Sequence, residues 1–325
     1  MVVSGSADGR AFDPPTNVVS HPRGGAADED TQLDKDWIAC DDGARSRFRG
    51  TCYVAYTDFT PPGVAIGVQR STDGGRTWSS PVSVPVPTDV PGVQPVVRPN
   101  GQFVLVFLDG SGRIEAVRSD DGGATFGSRR ELVARTRMRA GQLAQNGLRV
   151  FPLPSTAVDG GGTVYVAWPD CRFRRSCAAD DIVLTRSRAA GWATPRRIAV
   201  PRVSAATDHV LPGLAADERT RGAHAHLAVT FYSIRTAGCH ASSCLLDVRM
   251  ATSANGGRTW RTPTRLNAQP MRFGWLPRTN TGYMVGDYAA TSFATGRAVG
   301  VYALAQPPRG GRLDQSIRAT AQRVR

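Results

Sequence analysis

The pattern of hydrophobic and polar positions predicts short β-strands along the whole chain. Four kinds of run recur in a fixed order: an entry strand marked by proline, a densely apolar central strand, an alternating outer strand and a short last strand. The central runs read TCYVAYTDF, GQFVLVFLDG, GTVYVAWPD and AHLAVTFYS, and the outer runs read VAIGVQR, RIEAVR, DIVLTR and DVRMAT. Four strands in this order are typical of one β-propeller blade.

One turn motif separates the outer strand from the last strand. It reads STDGGRTW at 71–78, SDDGGATF at 119–126 and SANGGRTW at 253–260. A decayed copy, SRAAGW, lies at 187–192, and a copy that is one residue short, SADGRAF, lies at 6–12. Recurrence of one motif between strands at this spacing indicates a repeat architecture.

The residue types of the motif favour a structural turn over a catalytic site. An aspartate can accept hydrogen bonds from turn amides and hydroxyls, glycine supplies positive φ, and the final aromatic ring buries apolar area that contributes about 2–3 kcal/mol. The third copy has asparagine instead, which keeps the acceptor without the charge. The predicted structural positions are Ser71, Asp73, Gly75, Trp78, Ser119, Asp121, Gly123, Phe126, Ser253, Asn255, Gly257 and Trp260.

The motif S-x-D-x-G-x-T-W is similar to the Asp-box, or BNR repeat, and its recurrence between these strands resembles the sialidase-like β-propeller superfamily. The stretches DKDWIACD at 34–41, GTCYVAYTDF at 50–59 and MVGDYAAT at 284–291 look like those of secreted bacterial proteins of the exo-α-sialidase type. The resemblance covers nearly the whole chain and implies an all-β propeller of four-stranded antiparallel blades. Asp-boxes also occur in propellers without catalysis, so the motif itself implies no activity.

We expect a single propeller domain over 1–325, six-bladed in its complete form. Residues 1–20 carry only the tail of an earlier blade, and five nearly complete units cover 21–88, 89–137, 146–201, 207–268 and 272–325. Either the N-terminal remnant closes the last blade, or the chain begins inside a longer gene. The second interpretation is favoured because it also explains why MVVSGSADGR lacks the features of a signal peptide.

The six cysteines form three local pairs, Cys40 with Cys52, Cys171 with Cys177, and Cys239 with Cys244. No zinc-binding spacing is present, so three disulfides in an extracellular protein are expected, with reduced cytosolic thiols as the alternative. We expect no cofactor, although the sequence leaves calcium open as a ligand.

The net charge of +13 raises the possibility of a polyanionic partner such as nucleic acid. Lys35 is the only lysine, and the arginines are scattered singly or in pairs, which does not favour nucleic acid because phosphate contacts need a local stripe. No apolar run is long enough to span a membrane. A soluble monomer that acts on a glycan is therefore expected.

Candidate chemistry lies at the starts of the entry strands, because these line the propeller axis on the face opposite the repeated turns. The resemblance implies a sugar carboxylate held by arginines, a tyrosine nucleophile and an aspartate acid/base. We assign Tyr288, Asp287 and Asp36 to catalysis. The predicted substrate-binding residues are Arg149, Arg278, Lys35, Trp37, Gln94 and His209.

Several of these residues also have a purely structural interpretation. Asp36 and Asp287 can bond turn amides, and Tyr288 can pack in the channel. Arg149 can bond exposed carbonyls, and His209 can lie on the surface. The chain lacks the F/Y-R-I-P motif of the family, and no glutamate is placed beside Tyr288. The leading hypothesis is an exo-α-sialidase-like glycoside hydrolase for sialylated or related acidic glycans. The alternative is a non-catalytic propeller that binds glycan or protein.

Overall fold

The computed structural model describes residues 1–19, 33–59, 64–84, 86, 90, 92–137, 147–198, 207–235 and 241–324. Its described residues form short β-strands and a few three-residue 3-10 turns, at Arg175–Cys177, Gly222–His224, Ala241–Ser243 and Phe273–Trp275. None of these described helical turns is long and apolar enough to cross a membrane. The chain divides into two compact units, Met1–Arg135 (unit 1) and Thr136–Arg325 (unit 2).

Unit 1 contains two four-stranded antiparallel sheets, in the orders β3-β4-β5-β6 and β7-β8-β9-β10, and the short hairpin β1-β2. The strands are β1 Val2–Val3, β2 Thr16–Asn17, β3 Leu33–Cys40, β4 Cys52–Asp58, β5 Ala65–Ser71, β6 Val82–Val84, β7 Gly92–Val97, β8 Phe103–Leu108, β9 Arg113–Ser119 and β10 Glu131–Arg135.

Unit 2 contains sheets in the orders β11-β12-β13-β14, β15-β16-β17-β18 and β22-β23-β24, with β19 also paired to β17 and β20 paired to β21. The strands are β11 Ser155–Val158, β12 Val164–Asp170, β13 Asp181–Arg186, β14 Arg196–Arg197, β15 Thr207–Ala216, β16 Leu227–Arg235, β17 Leu245–Ser253, β18 Thr264–Arg265, β19 Met271–Arg272, β20 Arg278–Thr279, β21 Gly282–Tyr283, β22 Ala290–Ala294, β23 Arg297–Arg309 and β24 Arg312–Arg323.

The central strands form the cores because they are apolar on both faces. Every residue of β8 and β12 is buried. In unit 1 the ring of Tyr53 stacks on Phe103 with centroids 4.5 Å apart. In unit 2, Tyr165 and Phe231 belong to one buried cluster between adjacent sheets. Dense packing of neighbouring faces is what makes these short strands stable together.

The protein is an all-β chain of small antiparallel sheets of the β-propeller type, as the sequence predicts. The expected count of six blades is wrong for the described residues, which contain five blade-like sheets. The remnant at 1–20 forms only the hairpin β1-β2 among its described residues. This hairpin packs on the first sheet, where Val18 and Tyr56 share an apolar cluster and Gln69 Nε2 donates to the Val18 carbonyl.

The three complete copies of the motif share one hydrogen-bond scheme. The serine hydroxyl accepts the amide of the second glycine in each copy: Gly75 to Ser71, Gly123 to Ser119 and Gly257 to Ser253. All six glycines of the pairs Gly74–Gly75, Gly122–Gly123 and Gly256–Gly257 have positive φ. We call these three copies and the decayed copy at 187–192 the repeat turns.

Aspartate and asparagine complete the repeat turn with opposite donor directions. Thr77 Oγ1 donates to Asp73 Oδ2 at 2.6 Å, whereas Asn255 Nδ2 donates to Thr259 Oγ1 at 2.8 Å. A threonine hydroxyl can donate or accept, so the turn keeps its geometry when the carboxylate becomes an amide. Hydrogen bonds to its carboxylate from the Thr77 hydroxyl, the Thr77 amide, the Ser71 hydroxyl and the Arg76 amide outweigh desolvation, so the pKa of Asp73 lies below its ordinary value.

Two predicted disulfides are present, Cys40–Cys52 and Cys171–Cys177. Cys244 is also disulfide-bonded, and Cys239, its expected partner, lies outside the described residues. The first bridge joins the end of β3 to the start of β4. The second closes the loop between β12 and β13.

Candidate functional site

Several loops of unit 2 meet at one end of its sheets, which we call the entry rim: residues 147–154, 171–180, 207–209 and 283–289. Antiparallel pairing places the start of each entry strand beside the loop between central and outer strands. The Arg149 amide donates to the Tyr283 carbonyl at 2.8 Å, and the His209 amide donates to the Asp180 carbonyl at 2.9 Å.

Arg149 and Asp287 form an ion pair on the entry rim, with 2.9 Å between Nη2 and Oδ2. The side chains are 24% and 11% exposed, so most of the pair is shielded from contact with water. The Arg149 guanidinium also lies 5.5 Å from the centroid of the Phe151 ring. Its Nε is buried and has no hydrogen-bond partner within the described part of the chain. An unsatisfied buried donor is unusual in a folded protein.

Tyr283 connects the other predicted residues of unit 2 to this pair. It pairs with Arg278 in the β20-β21 hairpin and forms a parallel bridge with Leu148. Arg278 is exposed, and Tyr288, which follows Asp287 directly, is half-buried. The buried residues Val285 and Ala289 anchor this segment on both sides of Asp287 and Tyr288. The structure therefore pairs two of the predicted site residues, Arg149 and Asp287, and the roles of Arg278 and Tyr288 stay predictions.

His209 belongs to another cluster of the entry rim, centred on the carboxylate of Asp181. Arg174 Nε donates to Asp181 Oδ2 at 2.6 Å, and His209 Nδ1 lies 3.6 Å from Asp181 Oδ1. Burial raises the pKa of Asp181, but His209 and Arg174 lower it further, so its pKa lies below the ordinary value. The interpretation of His209 as a surface residue is wrong: its side chain is 4% exposed and packs edge-to-face on Phe231.

A cavity of about 490 Å³ lies at the loop closed by the Cys171–Cys177 disulfide. Arg137, Arg172 and Arg174 line it together with Thr136 and Ser176. Arg172 is held in place by Asp170, with Nη2 2.7 Å from Oδ2, and the Trp168 indole nitrogen bonds the same carboxylate. The sequence analysis paired Cys171 with Cys177 but did not select the arginines between them. The signal was present in the spacing of CRFRRSC.

The predicted site residues of unit 1 lie in its two entry strands. Lys35 is buried, 3.6 Å from the Asp34 carboxylate, and has a φ of 58° at a bulge in β3. Asp36 is exposed, Trp37 is half-buried, and Gln94 is buried in β7. A non-glycine residue in this region costs roughly 1–3 kcal/mol, which marks the bulge as a constrained site. The roles of these four residues stay predictions.

The described residues contain no group of three or more histidine, cysteine, aspartate or glutamate side chains placed to hold a metal ion. In the entry rim the Asp287 carboxylate is instead paired with Arg149. Guanidinium groups can hold an anionic ligand through charge-assisted hydrogen bonds.

Comparison with known proteins finds similarity in structure but not in sequence family. No family model matches the sequence, and no curated protein matches it. The structure is similar to that of the Hadza microbial sialidase Hz136, with a TM-score of 0.55, 16% identity, and coverage of 93% of this chain and 56% of that chain. The likeness shows the fold alone.

A second solved structure, a protein of unknown function from Dyadobacter fermentans DSM 18053, has a TM-score of 0.51 and 14% identity over 91% of this chain and 80% of that chain. The chain spans 56% of the length of the first of these two, the Hz136 sialidase. At these identities the two likenesses show a shared fold alone.

Proposed function

We propose that the protein is a glycoside hydrolase of the exo-α-sialidase type that acts on sialylated or related acidic glycans. The observation that supports this most is the Arg149–Asp287 ion pair, directly followed in sequence by Tyr288, on the entry rim of unit 2. An arginine, a carboxylate and a tyrosine are the groups that this chemistry requires. The fold shared with a microbial sialidase is consistent with the proposal.

Arg149 is the group that receives the sugar carboxylate. Its Nη2 is bonded to Asp287, and its buried Nε has no hydrogen-bond partner among the described residues. A ligand oxygen that accepts from Nε would remove the cost of about 1–3 kcal/mol that an unsatisfied buried donor carries. Arg278, exposed on the adjacent hairpin, is the second cation of the proposed clamp. Charge-assisted bonds of this kind are stronger than neutral ones.

The proposed reaction proceeds through Tyr288 and Asp287. The Asp287 carboxylate accepts the phenolic proton while the Tyr288 oxygen forms a bond to the anomeric carbon. The bond from that carbon to the leaving oxygen breaks, and the leaving oxygen takes up the proton that Asp287 accepted. Water then displaces the tyrosine oxygen and releases the sugar.

Release of 4-methylumbelliferone from its sialoside by the full chain tests this proposal. We expect turnover by the wild-type chain and none by Tyr288→Phe. Tyr53→Phe is the matched control, because the buried Tyr53 hydroxyl has no partner among the described residues and its loss should leave both fold and activity intact. Full turnover by Tyr288→Phe would show that the nucleophile is wrongly assigned.

A second candidate function is binding of acidic glycans without hydrolysis. It is favoured by the engagement of Asp287 with Arg149, because Asp287 Oδ2 already accepts a hydrogen bond from Arg149 Nη2 and is less available to receive a phenolic proton. Calorimetric titration with 3′-sialyllactose separates the two functions. Saturable binding without any product over many hours would establish the binding protein, and product formation would exclude it.

A further inference from the structure

Two cavities flank the repeat turn at 253–260, at the end of unit 2 opposite the entry rim. The first, about 270 Å³, lies between this turn and strands β13 and β14. The second, about 790 Å³, lies between the β17-β18 connection and strands β23 and β24. Arginines line both, and we call these arginines the basic arc: Arg186, Arg188, Arg196 and Arg258 in the first cavity, and Arg261, Arg297 and Arg323 in the second.

The basic arc has no acidic partner in its own lining. Neither cavity is lined by an aspartate or glutamate. The described residues give no ion pair to six of the arginines, Arg186, Arg188, Arg196, Arg258, Arg297 and Arg323, and all of these except Arg186 are exposed. The positive charges of these arginines add together, and their combined electrostatic field attracts an anionic ligand.

The two repeat turns that border the first cavity have both lost the aspartate of the motif. Ala189 occupies its position in the decayed copy, and Asn255 occupies it in the third copy. The two complete turns of unit 1 keep Asp73 and Asp121. The negative charge of the motif is therefore missing where the basic arc lies.

In unit 1 the arginines beside the equivalent turn are bonded to backbone carbonyls. Arg70 Nη1 donates to the Gly122 carbonyl at 3.2 Å, and Arg47 Nη2 donates to the Asp120 carbonyl at 2.9 Å. In unit 2 the described residues give no ion pair to Arg188, Arg196 and Arg258 of the first cavity, and their side chains are exposed to solvent.

We propose that the basic arc binds a polysaccharide chain whose sugars carry carboxylate or sulfate groups. This site is independent of the hydrolase proposed for the entry rim. Guanidinium groups hold either acid group through paired N–H donors. The first cavity lies near the lower end of the roughly 300–1,000 Å³ that small-ligand pockets occupy, so it suits a single sugar ring, and the larger cavity suits the following sugars.

The rest of the lining favours a glycan over single-stranded nucleic acid. Threonine hydroxyls, which can bond sugar hydroxyls, line both cavities at Thr185, Thr194, Thr252, Thr262 and Thr264. Binding of single strands relies on several aromatic platforms for successive bases. Trp260 is the only aromatic residue in either lining, and its ring contacts Gly257 of its own turn.

Isothermal titration calorimetry in 0.15 M NaCl tests the proposal with the full chain carrying Tyr288→Phe, which prevents cleavage. The probes are a heparin-derived hexasaccharide for sulfate, hexagalacturonate for carboxylate, and neutral maltohexaose. We expect at least one acidic hexasaccharide to bind and maltohexaose not to bind. Binding of only one acidic probe identifies the acid group. Failure of both to bind would overturn the proposal.

Variants localise the binding to the basic arc. Arg188→Ala combined with Arg258→Ala should raise Kd at least about tenfold, whereas Arg129→Ala combined with Arg312→Ala, an equal change of charge at exposed positions, should leave it within twofold. Asn255→Asp, which the turn tolerates, should raise Kd about threefold or more by restoring the carboxylate. Equal effects of both double variants, or tighter binding of a twelve-residue oligo-dT than of either acidic hexasaccharide, would refute a glycan site here.

Discussion

The Arg149 guanidinium bonds the Asp287 carboxylate at 2.9 Å although 138 residues separate them in the chain. The pair joins the segment before β11 to the segment before β22 and thus fixes two parts of the entry rim relative to each other. Loss of either residue should lower stability, because the remaining partner is half-buried and cannot be fully hydrated.

We expect Asp287→Ala to lower the free energy of unfolding by about 1–3 kcal/mol, because Arg149 then loses its carboxylate partner. Urea unfolding at pH 7 measures this, with the exposed Asp42→Ala as control. In a double-mutant cycle with Arg149→Ala the coupling energy should exceed about 0.5 kcal/mol. Additive effects of the two substitutions would mean that the ion pair contributes nothing.

The repeat turn at 119–126 should make stability depend on pH in the acid range. Slight burial raises the pKa of Asp121, but bonds from Thr125, Ser119 and two amides lower it to about 2 from the ordinary 3.8. Because the pKa of Asp121 is lower in the folded than in the unfolded state, its ionised carboxylate stabilises the folded protein above pH 3.8. This stabilisation is lost as the pH falls through 2.

Asp121→Asn should therefore reduce the free energy of unfolding at pH 7 by less than about 1 kcal/mol, since the group is exposed, and the difference from wild type should shrink between pH 4 and pH 2. Asn255→Asp should introduce the same dependence in the third turn. Urea unfolding at several pH values checks both. A difference for Asp121→Asn that stays constant from pH 7 to pH 2 would contradict the assignment.

Thr291 connects β22 to the sheet beside it. Its Oγ1 donates to the Gly213 carbonyl at 2.6 Å and accepts the Thr230 amide at 3.1 Å. Thr291→Val keeps the shape but leaves these groups unbonded, and we expect a loss of about 1–3 kcal/mol in unfolding free energy. Thr262→Val, an exposed position, is the control. Thermal and urea unfolding measure the effect, and equal stabilities of the two variants would exclude the connection.

Gly213 allows β15 to approach the segment that carries Tyr288. A Cβ atom there would lie 2.3 Å from the Ala289 carbonyl oxygen, so backbone has to move to admit it. We expect Gly213→Ala to cost about 1–3 kcal/mol in stability and to lower any activity of the entry rim. Gly127→Ala, with nothing within 4 Å of its Cβ position, serves as the comparison. Wild-type stability of Gly213→Ala would show that the contact is not tight.

The sequence predicts the sheets well because each blade is a local repeat of strands adjacent in the chain. The outer run DIVLTR, for example, becomes β13 between its predicted neighbours β12 and β14. The number of blades was not predictable from the same pattern. The tail at 1–20 carries one motif but folds, in its described part, as the two-stranded hairpin β1-β2 rather than a further sheet.

The site was predictable only in part, because its contacts join distant segments. Position at the start of an entry strand was enough to select Arg149 and Asp287, which the structure pairs. It was not enough to show that His209 is buried beside Asp181, since that depends on how β15 packs against the β12–β13 loop. Nor does alternation of polar residues reveal the bulge at Lys35, where φ becomes positive.

The interchange of Asp73 and Asn255 in otherwise equivalent turns separates architecture from surface electrostatics. Because either residue closes the turn, the fold requires no negative charge at this position, and a substitution can add or remove that charge while the turn stays closed. A protein engineer has the same freedom. The charge at this end of each blade can be rewritten one repeat at a time while the scaffold stays constant.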